Sequence, residues 1–315
     1  MKRWLLLTLV FLAIAVACLY FIIPNTIIVV GRDGVAVNAK AFSRTFLNEA
    51  NWKQWWPGTV LTKGNKHFGR YEYNGFIYSI VEKKLSSVVF SIRNEKDSFT
   101  SELVFLPMRT DSVSLAWQGR FITSPQPINR LQQYFETRRI DKDITTILEK
   151  IRVFYSDETN VYGLKIIKDH VLDSTLISIF TTTKEQPTVE LIYKLIDQLK
   201  AFAQAKGAHQ TGLPMLNVTT IDSITYLTKV ALPIDKKLKD EGKIVYRWML
   251  GGGNILVAEV KGGPHTIKRG FEIVEKYTED HNRLAPAIPF QSMVTDRRLE
   301  PDTGKWVTRI YWPVM

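Results

Sequence analysis

Few residues in this chain have the type and spacing needed to make or break bonds. The five histidines, His67, His170, His209, His265 and His281, form no HExxH pattern and no i, i+4 pair. A zinc site needs converging imidazole, thiolate or carboxylate ligands, so no metal is expected. The single cysteine, Cys18, sits in an apolar run and supports neither a disulfide frame nor a thiolate cluster. No Gly-x-Ser-x-Gly element and no Ser, His, Asp order occurs. Gly251-Gly252-Gly253 lacks the Lys-Ser/Thr tail of a phosphate loop and reads as a hairpin turn between two strands. One acid is placed for base chemistry: Glu259, with His265 and Tyr311 as candidate neighbours. His265 follows Pro264 at a helix start, where a capping or surface role is the commoner one. No cofactor is expected.

The elements that would position these groups begin with an apolar segment. Lys2 and Arg3 precede Trp4–Ile23, which contains no charge. About 20 apolar residues match a hydrocarbon core roughly 30 Å thick. Residues 1–30 therefore read as an uncleaved signal anchor, with a lipoprotein or cleaved signal as alternatives. Positive charge at the N-terminus keeps that end cytoplasmic. The rest is then extracytoplasmic, periplasmic in a Gram-negative inner membrane. The chain's 315 residues exceed one core's usual capacity, and 45% hydrophobic with 23% charged residues is a globular balance. A net charge of +11 over this length is too diffuse to imply a nucleic-acid partner.

Residues 31–158 alternate with period two through Tyr71–Ile80, Val88–Ile92, Leu103–Phe105 and Leu115–Phe121, broken by polar turns such as Arg93–Asp97. That pattern predicts an antiparallel meander with one wet face. Ile140, Ile144, Ile147, Leu148, Ile151 and Phe154 then recur at helical spacing, giving a long amphipathic helix to close over the sheet. The motif Asn51-Trp52…Trp55-Trp56-Pro57 between the first short helix and the strands resembles the SRPBCC superfamily, the START-like or polyketide-cyclase-like fold. The resemblance covers roughly Val29–Tyr155. It implies a curved sheet gripping the last helix around an apolar cavity, with Trp52, Trp55 and Trp56 packing at its mouth.

Residues 164–315 repeat. Lys165-Ile166-Ile167 aligns with Lys243-Ile244-Val245, and at the same offset Ile177 meets Ile255 and Tyr193 meets Phe271. Further on, Leu213-Pro214 corresponds to Ile288-Pro289 and Lys229–Ile234 to Arg309–Val314. Two copies, 164–234 and 243–315, each read strand, strand, helix, strand, strand, related by a pseudo-twofold axis. The whole is thus an α+β protein.

The duplicated unit resembles the GyrI-like effector-binding domain. The resemblance rests on Lys261-Gly262-Gly263-Pro264-His265 and the terminal Thr308–Val314. It implies a groove between the repeats, lined by aromatic faces and an acid that selects cations. Here Gln291 and Met293 stand where that family has its acid and tyrosine, and Arg309 precedes Tyr311. A buried acid without a partner is costly, which is what favours a bound cation; Gln291 removes that drive. The expected cleft lining is Gln291, Met293, Tyr311, Arg309, Lys229 and Phe290, facing a neutral or anionic apolar or aromatic ligand. The leading expectation is a membrane-anchored, non-enzymatic binder of small molecules. The alternative is a GyrI-like hydrolase of reactive small molecules using Glu259 and Tyr311.

Overall fold

Helix α1 spans Lys2–Ile22, and its C-terminal end is held by a buried arginine. Arg130 donates from Nε to the Ile23 carbonyl at 3.0 Å and from Nη2 to Asn25 Oδ1 at 2.8 Å. Its guanidinium lies 4.8 Å from the centre of the Tyr20 ring. The computed structural model describes residues 2–61, 68–172, 174–222 and 224–315, with backbone alone at residues 2, 3, 5, 6 and 15; His67 lies outside the described residues. Among these residues no helix is long and apolar enough to cross a membrane, so the expected spanning anchor has no support from the structure.

The chain divides into two units, Met1–Val161 and Tyr162–Met315. The first continues with β1 (Thr26–Val35), α2 (Ala39–Phe46), a 3-10 turn (Glu49–Gln54), β2 (Thr59–Leu61), β3 (Arg70–Tyr73), β4 (Phe76–Lys83), β5 (Ser87–Arg93), β6 (Ser98–Arg109), β7 (Ser112–Ile122) and α3 (Pro127–Tyr155). Strands β2 to β7 form the meander that the period-two pattern predicts, and β1 closes it against β7. Along β1 the inward positions are Val29, Gly31 and Val35. A side chain at Gly31 would lie 2.6 Å from Ile144 Cγ2, so glycine there lets the strand press onto α3.

Helix α3 starts well before the apolar period at Ile140, and the apolar residues of its first turns, Ile128, Leu131 and Phe135, are exposed and do not join the core. Pro127 occupies the first helical position, where a missing N–H costs nothing. The space between sheet and helix is largely filled by side chains, and a groove of about 720 Å³ lies beside Trp55, Trp56 and the Thr146–Phe154 stretch of α3. Phe42, Phe46, Trp52, Tyr71, Phe90 and Trp117 do the filling, with Tyr155 of α3 packed edge-on against Phe42 at 4.9 Å. Trp52 is fully buried and donates to the Phe46 carbonyl at 2.6 Å, so the tryptophan motif is core.

A short helix α4 (Glu158–Tyr162) precedes β8 (Ile166–His170), β9 (Thr175–Thr183), α5 (Val189–Ala205), β10 (Met215–Asp222) and β11 (Thr225–Pro233). The second copy follows as β12 (Val245–Trp248), β13 (Asn254–Lys261), α6 (Pro264–Asp280), β14 (Phe290–Met293) and β15 (Val307–Pro313). All eight strands form one antiparallel sheet in the order β12-β9-β11-β10-β14-β15-β13-β8. The first strand of each copy therefore sits beside the second strand of the other. The Gly251–Gly253 turn, at a φ of +75° for Gly252, is consequently not a hairpin: β12 pairs with β9, and β13 with β15 and β8.

Two alignments shift on inspection of the faces. Ile177 lies in the core under α5, whereas Ile255 points away from α6, so it is Leu256 that corresponds to Ile177. Helices α5 and α6 match at their first residues, Val189 and Pro264, and Tyr193 does not face Phe271's position. Residues two apart share a strand face, so a slip of one residue exchanges the faces. At the turn into α6, Gly262 has a φ of +138°, and a Cβ there would fall 2.6 Å from Thr266 Oγ1. The Gly-Gly-Pro motif is thus explained by backbone geometry.

Candidate functional site

The centre of the eight-stranded sheet is set by two registers. Leu216 of β10 lies opposite Gln291 of β14, and Met215 opposite Ser292. On the far side of β14, Phe290 pairs with Tyr311, Gln291 with Ile310, Ser292 with Arg309 and Met293 with Thr308. Directly opposed residues in an antiparallel pair project to the same side. Ile310 is fully buried and would meet a side chain on Gly270 of α6 at 2.6 Å, which places it on the helix-covered face. Gln291 goes with it, and Met293 belongs to the core beneath α5.

Phe290, Arg309 and Tyr311 take the opposite, helix-free face. Lys229 joins them, because it pairs with Asn217, two residues from Met215. The structure thus brings together Phe290, Tyr311, Arg309 and Lys229, and not Gln291 or Met293. The reason is elementary: Phe290 and Gln291 are consecutive in a strand and cannot line one surface. Gln291 Oε1 is buried and finds no donor. Its counterpart in the first repeat is Leu216, which is fully buried and apolar.

On the helix-free face the Phe290 and Tyr311 rings stack, with centres 4.9 Å apart and planes inclined by 13°. Phe290 is buried and Tyr311 half-buried. Arg309 Nε donates to Glu259 Oε2 at 3.0 Å, and that bond raises the arginine's pKa. Both side chains are exposed, so the pair adds little to stability. It does, however, cancel the charge of Arg309. Lys229, half-buried, pairs with no acid among the described residues, while Lys261 and Arg247 share this face at its exposed margins. Three strand spacings separate its strand from that of Arg309, about 14 Å along the sheet. Between them lie Met215, Ser292 and Asn217, whose Nδ2 donates to the Pro289 carbonyl at 2.8 Å. Met215, Asn217 and Ser292 were not apparent from the sequence. The Lys229–Arg309 equivalence, extended through the register, points to them.

For bond-breaking the arrangement is poor. The Glu259 carboxylate is exposed and engaged by Arg309, and His265 is exposed on α6, which packs against the opposite face from Glu259. No base, nucleophile and oxyanion donor converge there. Among the described residues no three His, Cys, Asp or Glu side chains gather as a metal site.

No family model matches the chain, and no curated relative does. Solved structures do. The chain is similar to the C-terminal domain of EcmrR, with a TM-score of 0.41 and 16% identity over 48% of this chain and 98% of that one. It is also similar to a START superfamily protein from Mycobacterium smegmatis, with a TM-score of 0.27 and 14% identity over 39% of this chain and 98% of that one. The Zhui aromatase/cyclase from Streptomyces sp. R1128 gives a TM-score of 0.29 and 10% identity over 40% of this chain and 94% of that one. At such identities the likeness concerns fold alone.

Proposed function

We propose that the second unit binds a small, flat, apolar molecule, neutral or anionic, on the helix-free face of its sheet, and that it does so without catalysing a reaction. The observation that carries this is the near-parallel Phe290–Tyr311 stack, flanked by Lys229, which no acid pairs among the described residues, and by Arg309, already neutralised. A flat ring continues an aromatic stack, and a stack of this kind is worth about 0.5–1.5 kcal/mol beyond area burial. Lys229 favours a negative group at the ligand's edge. The engagement of Glu259 by Arg309 speaks against the hydrolase reading.

Attachment to a membrane is a separate proposal and rests on the uncharged stretch Trp4–Ile23. It places both units outside the cytoplasm, where membrane-partitioned apolar molecules collect. Resistance of the full chain to alkaline carbonate extraction, lost on deleting residues 1–23, tests it.

The binding proposal is tested by calorimetric titration of detergent-solubilised full-length protein with 2-naphthoate and with trimethyl(2-naphthyl)ammonium. Naphthoate is expected to bind at least tenfold more tightly than the cation. Tyr311→Ala should weaken it tenfold, and Lys229→Gln should remove the preference for the anion. Equal affinity for both probes, or indifference to both substitutions, would overturn the proposal.

A further inference from the structure

The largest groove described in the second unit, about 950 Å³, lies away from the sheet face, between the outer side of α5 and the segment 297–306. Tyr193, Ala201 and Trp306 contribute its apolar surface, and two consecutive arginines, Arg297 and Arg298, line it. The two are not equivalent. Arg298 lies over the Tyr193 ring at 4.2 Å and pairs with Asp296 at 2.9 Å and Asp197 at 3.2 Å, so its charge is spoken for. Arg297 is more deeply set. Its guanidinium rests 4.6 Å from the centre of the Trp306 ring, and Nη2 donates to Thr308 Oγ1 at 2.9 Å. Its Nε is buried without an acceptor. Among the described residues no carboxylate pairs with it.

A guanidinium withdrawn from water and lacking a counter-charge is an unfavourable arrangement by itself, and burial indeed lowers its pKa. The surroundings hold it in place. The Arg297 backbone N–H donates to Tyr193 Oη at 2.9 Å, and Trp306 is anchored through Nε1 to the Glu300 carbonyl at 2.8 Å. With Nε sealed and Nη2 holding one acceptor, the N–H groups of Nη1 and Nη2 remain to grip a planar oxyanion end-on with two parallel bonds.

We infer that Arg297 is the anion-binding residue of a second ligand site, which takes a small carboxylate whose aliphatic body lies along Ala201 and Pro301. Glu190, Asp197 and Glu300, which also line the groove, restrict the negative charge to the Arg297 end. This site is independent of the sheet face proposed above.

The test is calorimetric titration of the full-length protein with hexanoate and with hexanamide, its neutral counterpart. Hexanoate is expected to bind, and hexanamide at least tenfold more weakly. Arg297→Gln should reduce hexanoate affinity tenfold or more, while Arg298→Gln and Tyr311→Ala leave it within twofold. Ala201→Trp keeps Arg297 and fills the groove from an exposed helix position, so it should abolish binding without unfolding the protein. Failure of hexanoate to bind, an equal response to hexanamide, or unchanged affinity in Arg297→Gln or Ala201→Trp would overturn the inference.

Discussion

Gln291 offers the sharpest test of the physical reasoning. Its side-chain oxygen is buried on the helix-covered side of the sheet without a donor, opposite Leu216. An unsatisfied buried amide oxygen costs about 1–3 kcal/mol. Gln291→Leu removes that oxygen, nearly conserves volume and makes the central pair with Leu216 apolar on both strands. The residue is half-buried, so its amide N–H groups lose some solvation, which offsets the upper part of that range. The expected gain is about 1–2 kcal/mol. For a unit of this size each kcal/mol moves Tm by about 2–4 °C, so the transition of the second unit should rise by about 2–8 °C. Differential scanning calorimetry of the full chain measures this. An unchanged or lowered Tm would refute the argument, because the oxygen would then have to be satisfied in solution. Gln291→Glu supplies the opposite sign. A carboxyl at this buried place has a folded pKa above its unfolded value. Its penalty is absent below the unfolded pKa, builds as pH rises from there to the folded pKa, and then totals about 1.4 kcal/mol for each unit of that rise. The variant should therefore approach wild-type stability in acid and fall below it at neutral pH.

Gly31→Ala places a methyl 2.6 Å from Ile144 Cγ2 and 2.8 Å from Leu148 Cδ1, and should destabilise the first unit by about 1–3 kcal/mol in urea. Combined with Ile144→Ala, the loss should be less than additive. Asp143 is pushed above the ordinary carboxylate pKa, chiefly by burial and despite bonds from Asn74 and Tyr78. A raised pKa means that stability present in acid is lost as pH rises through it, so Asp143→Asn should flatten the pH dependence of the first unit's denaturation midpoint. Asp296 is held down at about 2, mainly by its hydrogen bond from Arg298. In Arg298→Gln its carboxyl carbon should titrate nearer the ordinary value by NMR. The sign is opposite to that of Asp143: its contribution is present above the ordinary carboxylate range and fades as pH falls toward 2.

Elements with a clean period were legible in the residues alone. The meander follows from alternation, and the two ββαββ copies from matched pieces such as Lys229–Ile234 and Arg309–Val314. What misled was face assignment. Matching Ile177 with Ile255 by type alone put equivalent positions one residue apart, and in a strand that is the difference between core and surface. The grouping of Gln291 with Tyr311 comes from the family resemblance, which carries no strand register, and the register sets the two on opposite faces. Strand order was also out of reach, since adjacency in sequence suggested that β12 and β13 pair. Arg297 escaped notice because its significance is an absent partner, which only the arrangement of Asp197, Asp296 and Thr308 around two neighbouring arginines reveals. The aromatic filling of the first unit depends likewise on side-chain volumes meeting in three dimensions.

Because β8 completes the half of the sheet built by the later residues, and β12 the half built by the earlier ones, neither copy holds its own full complement of neighbours. Severing the chain between Pro233 and Val245 would leave each copy dependent on another for the edge strand it lacks. A gene encoding one copy alone would yield a polypeptide able to satisfy its unpaired edges with a twin, so the interlaced sheet has the layout of a homodimer joined into a single chain.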